Sequence, residues 1–567
     1  MTTKTFIKGK DSSLEDSIFK MQTLLKKAGF EIEEVSWLNP VANVYSVHIR
    51  DKNCPALFTN GKGACEKSCL ASAYGEFFER LASNYFFSDF FMEESPADFL
   101  YYPNEKKLSL AEYKSCLTPE LWQLYDVDNE LQAEDFLSLN DARQQITCLP
   151  MNDAFTQQQV YFPVNVFSNL YASNGLCAGN TFLEAKVQGL SEVFERWVKG
   201  KILKENICLP EVPNNVLESY PTLEIIIEDL KKHGLEVSVR DASLGGKYPV
   251  ISVILFEQIT GQCFASFGSH PIFEVAVERT LTESLQGRKL GELDGFQLPI
   301  FDADLVADDE NIENHFIDSS GLIHAKFISQ NYDYPFNKWD FEGDTKAQYD
   351  YLVACVKQLG KTVYTAEYSH FDLPVSRIVV PGMSEVFPIA ELVDNNQNQG
   401  RKLREFLQSF SEQKDAEQTL EEIEQLGLTD HQGVANLIGL LADADSYWKK
   451  LKVIELKMFL QLANQDYEEA YESLQDIFYF VDDKVIQTFY RALSMSLEII
   501  LYEDQTIYNK KMLNKLFGRL VIDKVNESIA GECLFYGLPI GNQAFEASKM
   551  HQNLKKAYKI TQEYKNN

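Results

Sequence analysis

The stretch YGEFFERLASNYF, residues 74–86, places Glu-x-x-Glu-Arg inside an apolar sequence, and LSEVFERWV, residues 190–198, repeats the motif. Each motif follows a glycine-containing loop, TNGKGA in the first case and SNGLCAGN in the second. Aligning Glu76 with Glu192 therefore also aligns Gly63 with Gly179. The repetition indicates two related strand–loop–helix units, each of which carries carboxylates among apolar side chains.

Helical spacing predicts which of these side chains share a face. Residues i, i+4 and i+7 lie along one side of a helix. A third segment, FEVAVERTLTESLQGRKL, follows the strand-like sequence CFASFGSH and has a polar stripe of the same spacing. The three stripes are Ser72, Glu76 and Glu79; Glu184, Gln188, Glu192 and Glu195; and Arg279, Glu283 and Gln286.

Two interpretations of these stripes are open. Amphipathic helices commonly turn a charged face to water, but Phe and Trp surround these carboxylates and few Lys residues accompany them. If the stripes converge, the carboxylates need cations, and Mg²⁺ typically links a few carboxylates to substrate phosphates. Arg80, Arg196, Arg279 and Arg288 would then hold phosphate oxygens, and the preceding loops would offer backbone N–H groups.

The pattern therefore favours a Mg²⁺–nucleotide site in which catalysis is mostly positioning and charge neutralisation. The sequence contains no G-x-x-x-x-G-K-[ST], so the site is not a P-loop. A carboxylate cluster that holds a metal ion for hydrolysis is the alternative.

Composition limits the class of protein. The 567 residues exceed one ordinary core, which predicts at least two domains. The net charge of −31 argues against a broad nucleic-acid surface, and the sequence has neither a membrane-spanning run nor a signal peptide, so we expect a cytoplasmic protein. The ten Cys are scattered without C-x-x-C spacing, which predicts reduced, mostly buried thiols.

Proline and glycine divide the chain into two parts. Residues before Pro388 mix strand and helix patterns, which predicts an α+β body. Residues 389–538 contain no proline and repeat apolar residues at helical spacing. We place the boundary near residues 395–405, where NNQNQGRK has the polar composition of a linker. The second part is a tetratricopeptide-like array or a plain helical bundle.

Six motifs in order resemble the YcaO family over the whole chain, including the helical part. They are TFIKGKDSSLEDSI, GKGACEKSCLASAYGEFFERLASNYFF, SNGLCAGNTFLEAKVQGLSEVFERWVK, SFGSHPIFEVAVERTLTESLQGR, HFIDSSGLI and SRIVVPGMSEVFP. The resemblance is strongest to bacterial members with tetratricopeptide-like repeats. It implies a family-specific ATP- and Mg²⁺-binding fold over residues 1–400 and a helical tetratricopeptide-like domain over residues 405–567.

The resemblance also implies roles for individual residues. The metal-holding and catalytic glutamates of the family match Glu76, Glu79, Glu192 and Glu195, and Glu184 matches a further metal and nucleotide position. The remaining nucleotide-contacting positions match Lys10, Ser17, Asn180, Gln188, Arg196 and Arg279.

Family members activate a peptide amide by phosphorylating its oxygen after a nucleophile attacks the amide carbon. Azoline-forming members end in a proline-rich tail, whereas this sequence ends ITQEYKNN, so we do not expect cyclodehydration. The subgroup is associated with β-methylthiolation of an aspartate in a small-subunit ribosomal protein, as an accessory to a radical-SAM methylthiotransferase. Those two proteins are the implied partners, and a homodimer is the implied assembly.

Two other functions remain open beside the ATP-hydrolysing accessory enzyme. An assembly scaffold would bind ATP without significant turnover and recruit a partner through its helical part. An amide-activating enzyme would use ATP only when its peptide substrate is present.

Overall fold

The strands of the protein form three antiparallel sheets. The computed structural model describes residues 4–92, 99–142, 144–410, 416–481, 483–503 and 510–565. The strands are β1 Ile32–Val41, β2 Val44–Asp51, β3 Phe58–Gly63, β4 Lys106–Ser109, β5 Gln145–Asp153, β6 Gln159–Pro163, β7 Leu176–Ala178, β8 Leu235–Asp241, β9 Val250–Glu257, β10 Cys263–Ser269, β11 Tyr364–Tyr368 and β12 Val375–Val379. One sheet has the order β1-β2-β3, another β10-β9-β8, and the largest β4-β5-β11-β12-β7 with β6 beside β5.

Helices pack against these sheets throughout the first part of the chain. They are α1 Leu14–Ala28, α2 Glu66–Ala82, α3 Tyr85–Ser88, α4 Pro119–Tyr125, α5 Val164–Val166, α6 Phe182–Lys204, α7 Asn214–Leu217, α8 Pro221–Lys232, α9 Phe273–Ser284, α10 Ala303–Ala307, α11 Asp309–Ile317 and α12 Thr345–Gln358. Helix α2 packs on one face of the largest sheet, while α6 and α12 pack on the other. This arrangement confirms the predicted α+β body.

The rest of the chain is helical, as the proline-free composition predicts. Its helices are α13 Asn398–Ser409, α14 Ala416–Gln425, α15 Val434–Ile438, α16 Val453–Ala463, α17 Tyr467–Phe480, α18 Lys484–Tyr502, α19 Lys510–Phe517, α20 Arg519–Ile529, α21 Asn542–Ala547 and α22 Lys549–Lys565. Helices α16, α17 and α18 pack as consecutive hairpins around a core of their own. A tetratricopeptide-like array stays a prediction.

The last helix returns to the first part of the chain. Leu554 and Tyr558 of α22 belong to the same core as α2 and the largest sheet. Tyr558 stacks on Phe99 at 4.8 Å between ring centroids, and Lys565 Nζ donates to Asn84 Oδ1 at 2.6 Å. The predicted domains, 1–400 and 405–567, divide the sequence, but α22, which belongs to the second range, packs in the core of the first.

The polar stretch around residue 396 is partly buried: Asn396 and Asn398 are buried, whereas Asn395 and Gln397 are exposed. Asn396, 3% exposed, accepts a hydrogen bond from Asn165 Nδ2 at 3.0 Å and donates to the Asp135 carbonyl oxygen at 2.8 Å. Its amide therefore satisfies backbone groups at the junction. Asn-rich composition therefore does not by itself indicate an exposed linker, because buried amides can satisfy backbone groups, and the domain boundary at this stretch stays a prediction.

Two expectations from composition can be compared directly with the described residues. All ten Cys are free, and eight of them are buried, which confirms the predicted buried thiols. Within the described ranges, no helix is both long and apolar enough to cross a membrane.

Candidate functional site

Three strand–loop–helix units place their helices around one cleft. Strand β3 leads into α2, β7 into α6, and β10 into α9, each through a loop of two or three residues. The units contact one another directly: Glu79 Oε1 accepts from the Ala178 backbone N–H at 2.9 Å, and Gln286 Nε2 donates to the Asn60 carbonyl oxygen at 3.0 Å. Arg279 donates to Gln188 Oε1 across α9 and α6. The predicted polar stripes therefore converge, and the interpretation as three separate solvated faces is wrong.

Glu76, Glu79 and Glu192 form the centre of the cleft. Burial, and next the charges of Glu76 and Glu192, raise the pKa of Glu79 to about 8. Burial also raises the pKa of Glu76, against the opposing charge of Arg80. A carboxyl group whose neighbours are also carboxyl groups binds its proton more tightly, because a second negative charge in a shielded cleft is unfavourable.

Each of the two arginine motifs supplies one internal counter-charge. Arg80 donates to Glu76 one helical turn away. Arg196 Nε donates to Glu192 Oε1 at 3.0 Å, and Nη2 of the same guanidinium lies 2.9 Å from that oxygen. These i,i+4 pairs follow directly from Glu-x-x-x-Arg spacing. They neutralise two carboxylates but leave Glu79 without a cationic hydrogen-bond donor among the contacts described.

A second carboxylate pair, Glu195 and Glu283, lies between α6 and α9. Burial and then the charge of Glu283 raise the pKa of Glu195 to about 7. Burial would also raise the pKa of Glu283, but the charges of Lys62 and Lys199 outweigh it and the pKa of Glu283 is lowered. Lys62 Nζ lies 2.5 Å from Glu283 Oε2.

The N-terminal segment brings Lys10 and Ser17 to the start of α6. Lys10 Nζ lies 3.2 Å from Glu184 Oε1, and Ser17 Oγ donates to Asn180 Oδ1 at 2.7 Å. Asn180 Nδ2 in turn donates to Glu184 Oε2 at 2.9 Å. Four predicted nucleotide-contacting residues, distant in sequence, thus form one hydrogen-bonded group.

Gln188 and Arg279 lie between this N-terminal group and the central carboxylates. Gln188 is one helical turn after Glu184 and one before Glu192, so α6 runs through the whole cleft. The predicted residues of α6 therefore connect the N-terminal group with the central carboxylates. Their roles toward a nucleotide or metal ion stay predictions.

Arg288 does not join the cleft. Its guanidinium donates to the carbonyl oxygens of Asp294 at 2.8 Å and Asp318 at 3.1 Å, and it lies over the Phe264 ring at 4.2 Å. Helix α9 ends at Ser284, and beyond Gln286 the chain directs Arg288 to these carbonyl oxygens, so its expected role in holding phosphate stays a prediction.

Several residues of the cleft were not predicted from the sequence. Asp11 donates its backbone N–H to Glu184 Oε2 at 2.8 Å and accepts from Thr181 Oγ1 at 2.5 Å. Lys199, 7% exposed, donates to the His315 carbonyl oxygen at 2.6 Å, and burial lowers its pKa to about 8. The helical spacing Glu195–Lys199 was a signal for this lysine, but the partners of Asp11 lie too far away in sequence to be found.

The carboxylates of the cleft fit a metal ion that also binds water or phosphate oxygens. Within the described residues, no three His, Cys, Asp or Glu side chains lie close enough together to enclose an ion. The carboxylates nevertheless raise one another's pKa, as Glu79 shows, so a divalent cation would relieve repulsion there. Mg²⁺ prefers one or two carboxylates together with water and phosphate oxygens, and this arrangement is compatible with that preference.

Comparison with known families gives two matches that together span most of the chain. Residues 60–384 match the family of YcaO cyclodehydratases, described as ATP- and Mg²⁺-binding. Residues 400–567 match the C-terminal domain of YcaO cyclodehydratases. The first match contains the three strand–helix units except for the first two residues of β3, and the second contains all but the first two residues of the helical part.

Two curated proteins are similar over nearly their whole length. One is the ribosomal protein S12 methylthiotransferase accessory factor YcaO of Escherichia coli K12, 44% identical over 579 aligned positions that cover 99% of each chain. The other is an uncharacterized protein of Haemophilus influenzae Rd, 43% identical over 577 positions that cover 98% of each chain.

Solved structures with related folds are more distant. YcaO from Methanopyrus kandleri bound with AMPPCP and Mg²⁺ is 20% identical, with a TM-score of 0.43, over 70% of this chain and 97% of that chain. A heterocyclase in complex with substrate and cofactor is 20% identical, with a TM-score of 0.44, over 66% of this chain and 52% of that chain.

Proposed function

The chain belongs to the YcaO family, and on this premise we propose that it is an ATP- and Mg²⁺-dependent phosphoryl-transfer enzyme that hydrolyses ATP as an accessory to ribosomal-protein methylthiolation. The observation that carries the proposal is the convergence of Glu76, Glu79, Glu192 and Glu195 from two helices. Burial and the neighbouring carboxylates raise the pKa of Glu79 to about 8. Such a cluster is suited to a divalent ion carried by a nucleotide.

The proposed roles of the residues change along α6, from nucleotide binding at its start to metal binding further on. Lys10, Ser17, Asn180 and Glu184 would bind the nucleotide at the start of the helix. Glu76, Glu79, Glu192 and Glu195 would hold Mg²⁺, which, when bound, shields the charge of the phosphates.

Arginines would then complete the phosphate contacts. Arg196 and Arg279, now paired with Glu192 and Gln188, would turn to phosphate oxygens once a metal ion takes over the carboxylates. Arg is suited to this task because its planar guanidinium donates two parallel hydrogen bonds.

The accessory role rests on the relative in E. coli, whose name states that function. The partners would be a methylthiotransferase of the radical-SAM type and the small-subunit ribosomal protein that it modifies. The net charge of −31 would favour contact with a basic ribosomal protein. A cytoplasmic location, a homodimeric assembly, a division into domains at 1–400 and 405–567, and a tetratricopeptide-like second domain belong to the same proposal.

A second candidate is activation of a peptide amide, which the family description as cyclodehydratases favours. In that reaction a nucleophile bonds to the amide carbon, and the resulting oxyanion takes the γ-phosphoryl group while ADP leaves. It predicts ATP use only in the presence of the peptide. A scaffold that binds ATP without turnover would also show no hydrolysis, but it would not respond to any peptide.

The test measures Mg²⁺–ATP binding and turnover by the purified protein, by Glu76→Ala and by Glu195→Ala. Both variants should lose binding and at least about 100-fold in turnover, since each removes charge from the ion site. Glu66→Ala is the matched control, because Glu66 lies exposed in the first turn of α2. Unchanged turnover in both cleft variants would refute the site assignment.

The accessory role needs a separate measurement. Binding of the purified protein to the methylthiotransferase and to ribosomal protein S12 should be measured with and without Mg²⁺–ATP. Binding to neither protein under both conditions would contradict the accessory role while leaving the ATP site intact.

A further inference from the structure

Lys62 lies between two glycines that press strand β3 against helix α2. A Cβ atom added at Gly61 would lie 2.1 Å from the Cys69 carbonyl oxygen, and one added at Gly63 would lie 2.3 Å from Ser68 Oγ. Successive residues of a strand point to opposite faces, so both glycines face α2 and Lys62 points away from it. The Gly-Lys-Gly sequence therefore fixes the backbone that carries this lysine.

The ammonium group of Lys62 pairs with a carboxylate of α9, and its charge acts on carboxylates of α2 and α6. Its Nζ lies 2.5 Å from Glu283 Oε2 on α9. Its charge also acts on Glu76 of α2 and Glu195 of α6, against the rise in their pKa values that burial causes. The side chains of Lys62 and Glu283 are 20% and 31% exposed, so the pair is open to a ligand that enters the cleft.

Other cations of the cleft also have partners in the free protein. Arg196 donates to Glu192 and lies over the Phe316 ring at 4.1 Å. Lys199 is buried and donates to a backbone carbonyl oxygen and to Ser319 Oγ. Lys62, like Arg196, pairs with a carboxylate that a divalent cation would also attract, and it differs from the buried Lys199 in that its ion pair is partly exposed.

We propose that Lys62 contacts the terminal phosphoryl group of bound ATP, so that the Gly-Lys-Gly segment of β3 adds a catalytic cation to the site. This inference rests on the proposed function. In the free protein Glu283 holds the ammonium group in place. With nucleotide bound, Lys62 would exchange Glu283 for phosphate oxygens, and a lysine is well suited to this as a mobile point charge.

The role is electrostatic and leaves the lysine unchanged. In hydrolysis, a water oxygen bonds to the γ-phosphorus while the bond from that phosphorus to the bridging oxygen breaks and its electron pair leaves with ADP. The protons of the water end on the phosphate product and in solvent. Lys62 stays protonated and donates hydrogen bonds to the γ-phosphoryl oxygens, whose charge it helps to neutralise.

A purely structural role for Lys62 predicts a different pattern. If the lysine only holds Glu283 on α9, its removal frees a carboxylate, and the cleft then attracts Mg²⁺ more strongly. Nucleotides with and without a γ-phosphate would be affected alike. The two roles therefore differ in whether the effect depends on the terminal phosphate.

The experiment compares binding of Mg²⁺–ADP and Mg²⁺–AMPPCP, a non-hydrolysable ATP analogue, by calorimetry. The variants are Lys62→Met, which keeps the stem without the charge, and Lys62→Arg, which keeps the charge. Lys201→Met is the control, since Lys201 pairs with Glu205 on the same helix as the site but outside the polar stripe. Turnover of ATP is measured in parallel.

Lys62→Met should weaken AMPPCP binding by about tenfold or more, leave ADP binding within about twofold, and lower kcat by about 100-fold. Lys62→Arg should recover part of the AMPPCP affinity. Equal changes for both nucleotides, or tighter Mg²⁺ binding without a γ-phosphate effect, would overturn the proposal.

The same measurements distinguish a failure of the Lys62 proposal from misfolding of the variant and from a failure of the proposed function. If Lys62→Met lowers the melting temperature, Lys62→Gln replaces it, and the ratio of the two affinities within one variant is unaffected by the folded fraction. A wild-type protein that binds neither nucleotide would refute the proposed function itself. Wild-type binding with a Lys62→Met variant that matches it refutes only the role of Lys62.

Discussion

Replacing Glu79 by Gln should stabilise the metal-free protein at alkaline pH while it removes Mg²⁺–nucleotide binding. Glu79 lies half-buried beside Glu76 and Glu192, and its Oε1 accepts the Ala178 backbone N–H at 2.9 Å. A glutamine keeps that hydrogen bond through its own Oε1 but carries no charge. The substitution therefore removes repulsion from the empty cleft and one ligand from the proposed ion site.

The size and pH range of the effect follow from the pKa of Glu79. Burial, and then Glu76 and Glu192, raise the pKa to about 8 in the folded protein, whereas a glutamate in the unfolded chain titrates near pH 4.3. The folded state binds the proton more tightly, so the free energy of unfolding falls as pH rises between these two values and stays low above pH 8. At about 1.4 kcal/mol per pH unit the upper bound is about 5 kcal/mol. Because solvent reaches the cleft and screens its charges, we expect the variant to gain about 1–3 kcal/mol in free energy of unfolding at alkaline pH.

The assay is thermal unfolding of the wild type and Glu79→Gln in EDTA at pH 5.5 and pH 8.5. The variant should melt a few degrees higher at pH 8.5, and the difference should be only about a third as large at pH 5.5, which lies early in the range over which the wild type loses stability. Glu66→Gln, in the exposed first turn of the same helix, should show no such pH-dependent difference. A variant less stable than the wild type at pH 8.5, or a difference of equal size at both pH values, would refute the electrostatic reasoning.

Two further predictions test the scaffold of the site. Gly61→Ala should destabilise the protein by about 1–3 kcal/mol in thermal melts, because the new Cβ would lie 2.1 Å from a backbone oxygen of α2. Gly75→Ala is the control, since a Cβ there would have nothing within 4 Å, and it should be neutral or slightly stabilising in the same melts. Lys565→Met should lower the free energy of unfolding by about 1–3 kcal/mol, since the Asn84 side chain and the Tyr101 carbonyl oxygen lose their donor. Lys559→Met, at an exposed position of the same helix, is its control. Equal melting temperatures of the two variants would contradict the stabilising contact of α22 with the first part of the chain.

The carboxylates of the site could be predicted because they are local in sequence. Helical periodicity places Glu76 and Glu79 on one face of α2, and Glu192 and Glu195 on one face of α6, whatever these helices pack against. The apolar residues around them already indicated that these faces are not ordinary solvated surfaces. The Glu-x-x-x-Arg spacing likewise fixes the pairs Glu76–Arg80 and Glu192–Arg196 within single helices.

Contacts between distant segments could not be predicted in the same way. Arg288 continues the α9 pattern in sequence, yet the helix ends at Ser284 and the arginine turns to carbonyl oxygens elsewhere. Asn396 has the composition of a linker, yet it satisfies buried backbone groups. In both cases the local sequence permits two environments, and the tertiary neighbours choose between them.

The sequence by itself determined the α+β body, the helical second part, and three polar stripes with their carboxylates, because each depends on periodicity along one segment. Only the tertiary structure decided that the stripes meet, that Lys62 faces Glu283, and that α22 returns to the first core. Those features depend on which elements pack together, and packing is set by the burial of apolar surface over the whole chain rather than by any short stretch of it.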